Sequence, residues 1–255
     1  MITIGWAPEI AFFFFLIFAR VGTLLMLLPA LGEQSIPARM RLSFALVFTF
    51  VLYPLVAPAL PPIPETFAGL AATLGHELAV GFILGGLLRL MLSAAQVAGA
   101  VIAYQMGLSM AQTADPTQNG VQGAIVGNFL AFLGVALIFA TDLHHMLLAG
   151  VYQSYTLFPP DAPLMLGDAA DMATRIVAQA FVVGVQMAAP LLVFGLVFYL
   201  GLGVMGRLMP QIQVFFMAMP ANIIIGLILF AMLVGAMMTW YLAHFEDLAT
   251  QLLIR

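Results

Sequence analysis

Residues 188–207 read "AAPLLVFGLVFYLGLGVMGR", nineteen uncharged residues followed by Arg207. An α-helix crosses a bilayer in about 20 apolar residues, and the apolar run around this stretch extends over 172–206. Seven further runs lie at roughly 10–31, 42–60, 67–92, 93–110, 124–140, 142–158 and 214–243. They are long and rich in Leu, Met and Ala without strict alternation, which favours helix over strand. Membrane strands would read as segments of about ten alternating residues, and that pattern is absent. Of the 255 residues, 64% are hydrophobic and only 7% charged, against about a quarter charged in soluble domains. The composition predicts an all-α integral membrane protein built from broken or kinked helical hairpins.

The polar minority excludes several functions. No cysteine is present, so disulfides, thiolate catalysis and cysteine metal sites are ruled out together. Net charge is −4 and no basic run exists to hold nucleic acid. The N-terminal "MITIGWAPEI" lacks the positive segment of a cleavable signal peptide, so the first run is expected to remain in the mature protein. "GHELAVG" (75–81) has no second histidine four positions after His76, so the zinc-protease spacing fails. "DLHHMLLAG" (142–150) offers Asp142, His144 and His145. Adjacent helical positions diverge by about 100°, which argues against a shared metal; hydrogen bonding at a helix end is the plain reading, a proton relay the other. "GLSMA" (107–111) lacks the final glycine of a nucleophile elbow. Neither an enzyme nor a cofactor or metal site is expected.

Arginine placement orients the runs. Arg39 and Arg41 flank the second, Arg89 ends the third, and Arg207 sits in the last polar interval. The bias of basic residues toward the cytoplasm predicts 32–41, Arg89 and 207–213 inside, and both termini, 57–65 and 159–171 outside. The three runs between 90 and 159 supply the odd number of crossings this requires.

Polar side chains also occur inside the runs. Arg20 is in the first, His76, Glu77 and Arg89 in the third, and Gln96, Tyr104 and Gln105 in the fourth. A central arginine costs about 2.5–3.5 kcal/mol on insertion scales. Arg20, Glu77, Arg89, Gln96 and Gln105 are therefore expected as buried polar helix contacts, turned toward protein or water. "GFILGG" (81–86) supplies small residues for close helix approach. Much of the surface is expected to lie against other subunits.

One loop stands apart. "AQTADPTQNGVQG" (111–123) is polar and nearly uncharged. Asp115-Pro116 reads as an N-cap followed by proline at the first helical position, and Gln118 sits where a capping-box partner would reach back. Asn119-Gly120 then breaks the turn. Such a shaped loop is either a connector outside the bilayer or a segment at membrane depth, where irregular backbone needs protein or water around it. Met217 and Met219, among seventeen methionines, read as packing filler, or as a deformable seal.

"RLMPQIQVFFMAMPANIIIGL" (207–227) resembles the C-terminal signature of the flagellar biosynthetic protein FliR family, through Arg207, Pro210, Gln211, Val214, Phe215, Pro220 and Gly226. Asn222 stands where that family often has lysine. "ARVGTLLMLLPALGEQSIPARMRLSFAL" (19–46), "ELAVGFILG" (77–85), Asp115-Pro116, "DLHHMLLAGVYQSY" (142–155) and "AAPLL" (188–192) follow in the family's order.

The resemblance implies a core subunit of the flagellar type III protein export gate in the bacterial inner membrane, at the flagellar basal body. It implies assembly with FliP and FliQ, contact with FlhB and FlhA, and passage of unfolded flagellar substrates. It further implies a FliP-like part (1–164) followed by a FliQ-like hairpin (165–255). A loop closes the resting pore in that family; here it would be Gln112, Thr113, Asp115, Pro116, Thr117, Gln118, Asn119, Gly120 and Gln122. Arg207, Pro210, Gln211, Phe215 and Pro220 would form an assembly motif at the cytoplasmic end. The rivals are a proton-coupled secondary transporter, which the broken helices also suit, and the homologous virulence injectisome subunit.

Overall fold

The chain's structure, a computed structural model, describes residues 7–33, 36–108, 121–164, 166–209 and 214–253. Among them are seven α-helices and no strand: α1 (Ala7–Leu27), α2 (Ala38–Val56), α3 (Phe67–Gln105), α4 (Val121–Ala140), α5 (Leu143–Leu157), α6 (Leu166–Leu208) and α7 (Val214–Leu253). A short 3₁₀ turn, Ala57–Ala59, follows α2. Five helices are long and apolar enough to cross a membrane, or six if the bent pair α4–α5 counts as one broken span. The chain is an all-α, multi-pass membrane protein.

One expected break is absent. α3 runs unbroken through 92–93, where two separate crossings were expected. The polar residues there interrupt hydropathy but not helical geometry, because none is proline and a single serine does not outweigh the helix formers around it. With that break goes the separate crossing assigned to 93–110, on which the inside–outside alternation beyond Arg89 depended. Helices α4 and α5 meet at an 80° bend instead of forming two independent spans. Prolines do not end the long helices either: Pro190 lies inside α6 and Pro220 inside α7.

Residues pack as two compact units. The first comprises Met1–Leu90, Ile138–Ile176 and Glu246–Arg255; the second comprises Met91–Leu137 and Val177–Phe245. Both units thus draw residues from either side of position 165. In the first, Leu16, Ile17, Leu24, Leu84, Leu88 and Leu147 are buried. Glycine brings α1 and α3 together there, since a Cβ on Gly81 would lie 2.6 Å from the Arg20 carbonyl oxygen. In the second unit Ile102, Met106, Leu130, Leu191 and Tyr241 are buried. Its closest helix crossing joins α3 to α4 at Gly99 and Gly127, where a Cβ on Gly99 would overlap the Gly127 backbone. This is close approach through small residues, as membrane helices use it.

Candidate functional site

Two polar joints dominate the interior, one in each unit. In the first, Arg20 is fully buried and all its guanidinium nitrogens are bonded. Nε donates to Glu77 Oε2 at 2.6 Å, Nη2 to Glu77 Oε1 at 2.8 Å, and Nη1 to the Ser154 carbonyl at 2.9 Å. The Tyr155 ring covers the guanidinium at 4.2 Å, and its hydroxyl reaches the Ile17 carbonyl at 3.4 Å. Ser154 turns its own hydroxyl back to the Val151 carbonyl at 2.7 Å. Edge and face of the cation are both occupied, so the pair is a closed structural element. His76 Nδ1 lies 3.5 Å from Glu77 Oε1, too long for a good hydrogen bond.

The second joint holds the C-terminal end of α3. Asn222 of α7, only 2% exposed, donates from Nδ2 to the Gln105 carbonyl at 3.1 Å and to the Tyr199 hydroxyl of α6 at 3.3 Å. The Met106 amide bonds Ile102 O and the Gly107 amide bonds Tyr104 O, each at 3.0 Å. Gly107 has φ +75°, a left-handed conformation that suits glycine at a helix C-terminus. A Cβ there would also lie 3.1 Å from Asn222 Nδ2. The Gln105 side chain fills the notch left by Gly195 of α6, and Met106 the notch left by Gly226 of α7.

The other expected contacts are more open. Within this chain Arg89 and Gln105 are half-buried and Gln96 is exposed. Arg207 is exposed in the last turn of α6, and Pro220 is exposed within α7. Phe215 lies in α7 and Gln122 in α4, with side chains outside the description. Gln112, Thr113, Asp115, Pro116, Thr117, Gln118, Asn119, Gly120, Pro210 and Gln211 lie outside the described residues.

The histidine pair departs from expectation. The His144 and His145 rings sit 4.1 Å apart, and ligand atoms of Asp142, His144 and His145 fall within 4.8 Å of one another. Side-chain torsions close the divergence that backbone spacing imposes. Asp142 occupies the bend between α4 and α5 with φ 59°, and its carboxylate does not cap α5. Its Oδ1 lies 3.7 Å from His145 Nδ1, and both groups are exposed.

Three residues of the joints were missed from sequence, Tyr155, Tyr199 and Ser154: nothing in the sequence sets either tyrosine apart as a contact, and the serine contributes its backbone. Asn222 was noticed only as a departure, although a single amide inside "ANIIIGL" (221–227) already calls for a buried partner.

Comparison with known proteins extends over most of this chain. Residues 11–248 match the family described as Bacterial export proteins, family 1. The chain is 46% identical over 226 residues to the flagellar biosynthetic protein FliR of Caulobacter vibrioides, covering 88% of this chain and 90% of that protein. It is 30% identical over 220 residues to the FliR of Bacillus subtilis, covering 85% and 83%. It is also 26% identical over 227 residues to the Yop proteins translocation protein T of Yersinia pestis, covering 88% and 86%.

Proposed function

Because this chain belongs to the bacterial export proteins, family 1, and is a type III export-gate subunit of the inner membrane, we propose that it builds the pore for unfolded flagellar proteins with FliP and FliQ. It is an apparatus component, not an enzyme. The observation that carries the proposal is a set of amide side chains left open on helices whose apolar surface the chain itself hardly covers. The most apolar window of α7 is 17% buried and that of α2 is 22% buried. Gln96, Asn128, Gln179 and Gln186 are exposed on otherwise apolar helices. Amides in such positions turn toward protein or water, which suits a subunit completed by other chains around a wet path.

FlhB and FlhA are the further neighbours of this reading. A FliP-like part over 1–164 and a FliQ-like hairpin over 165–255 belong to it, as does closure of the resting pore by residues 111–123. The 46% identity to a flagellar relative, against 26% to the Yersinia protein, favours the flagellar system. Co-expression with FliP and FliQ and purification through a tag on this chain tests the proposal. One stable complex containing all three is expected, whereas a self-sufficient monomer or symmetric homo-oligomer would refute it and favour a transporter.

A further inference from the structure

The last residues of α3 are held by more devices than a helix end needs. A helix C-terminus leaves carbonyls without intrahelical donors, and a left-handed glycine is the usual local remedy. Gly107 supplies that remedy, yet Asn222 reaches in from α7 to take the Gln105 carbonyl as well. The same Nδ2 also bonds Tyr199 of α6, so one amide group ties three helices together at a point two residues before the chain departs at Gly107. Gly195 and Gly226 seat the Gln105 and Met106 side chains on either side.

Packing alone does not account for Asn222. A leucine has the same branched heavy-atom skeleton without burying polar atoms. The amide is fully enclosed, and among the described residues its Oδ1 has no hydrogen-bond partner. A half-satisfied buried amide is costly. What it provides in return is a fixed partner for the Gln105 carbonyl, reaching in from α7.

We propose that Asn222 is a positioning residue, which together with Tyr199 and Gly107 fixes the direction in which the chain leaves α3. The proposal rests on the reading of residues 111–123 as the closure of the resting pore, because its functional consequence is a correctly aimed closing segment. Asn222 acts through the end of α3, whose Gln105 carbonyl it holds.

The test uses the complex with FliP and FliQ reconstituted in vesicles. Because this chain lacks cysteine, Leu108→Cys carries a single spin label once any partner cysteines are replaced by serine. Label mobility and ion leak are measured in Asn222→Leu, in Tyr199→Phe, and in a deletion of residues 112–122. Loss of a buried hydrogen bond shifts a local equilibrium roughly tenfold, so Asn222→Leu is expected to raise both mobility and leak by about that factor. Tyr199→Phe should give a smaller rise, and it remains informative if Asn222→Leu does not assemble. Should the deletion leak while both point variants keep parental mobility and leak, the positioning role is wrong and the closing segment stands. A deletion that does not leak removes the pore-closing reading instead. Label mobility then decides for Asn222 alone: a rise upholds the anchoring, and no change overturns it.

Discussion

Arg20 and Glu77, 57 positions apart in the chain, meet through two parallel hydrogen bonds of 2.6 and 2.8 Å in a site without solvent. Breaking such a pair leaves one buried charge alone, which costs about 3–5 kcal/mol, whereas replacing both partners by apolar residues is close to neutral. Glu77→Ala or Arg20→Ala should therefore sharply lower the thermal unfolding midpoint of the detergent-solubilised complex. The double variant Arg20→Met/Glu77→Leu should recover most of the loss. Single variants as stable as the parent would contradict the pairing.

The Gly99–Gly127 crossing leaves no room for a side chain. Gly99→Val should destabilise the protein by about 1–3 kcal/mol or more through overpacking. Gly86 meets nothing within 4 Å, and alanine there should change unfolding by no more than about 1 kcal/mol, in the stabilising direction. Unfolding of both variants under one condition checks the contrast. A fall in complex yield with Gly86→Ala alone would mark that position as a subunit contact.

Arg207 sits exposed at the C-terminal end of α6, where a cation interacts favourably with the helix dipole by about 0.3–1 kcal/mol. Arg207→Ala should thus leave the chain's own stability nearly unchanged while reducing the FliP and FliQ recovered with it. Unaltered recovery and unaltered motility would remove this residue from the assembly motif.

Deleting Gln112 to Gln122 should leave the complex largely intact and raise its conductance to ions and small solutes. Electrical recording from planar bilayers reads this directly. An assembled complex that stays at the background level would sink the assignment of a plug to this segment.

Much of this architecture is legible in apolar run length alone, because a helix in lipid must satisfy its backbone internally. The first two runs, 10–31 and 42–60, correspond to α1 and to α2 with its 3₁₀ turn. Arg20 and Glu77 stand out for the same reason, as polar groups too costly to leave in lipid. Their pairing is not legible, since 57 residues and a helix reversal separate them and no periodic signal spans such a distance. The continuity of α3 was hidden by polarity, which marks a change of surroundings and not a change of backbone. The joint at Gln105 was hidden because its acceptor is a main-chain carbonyl, which every residue carries alike.

Helices α3, α6 and α7 contain 39, 43 and 40 residues. At 1.5 Å per residue each measures roughly 60 Å along its axis, whereas the hydrocarbon layer is about 30 Å thick. Tilting by the usual 20° or so hardly narrows that gap. Each helix therefore has about twice the axial length that the acyl layer can cover. Whatever apolar flank lies beyond the acyl layer needs cover other than lipid, while the exposed Asp168, Asp171, Glu246 and Asp247 mark helix ends that water can meet.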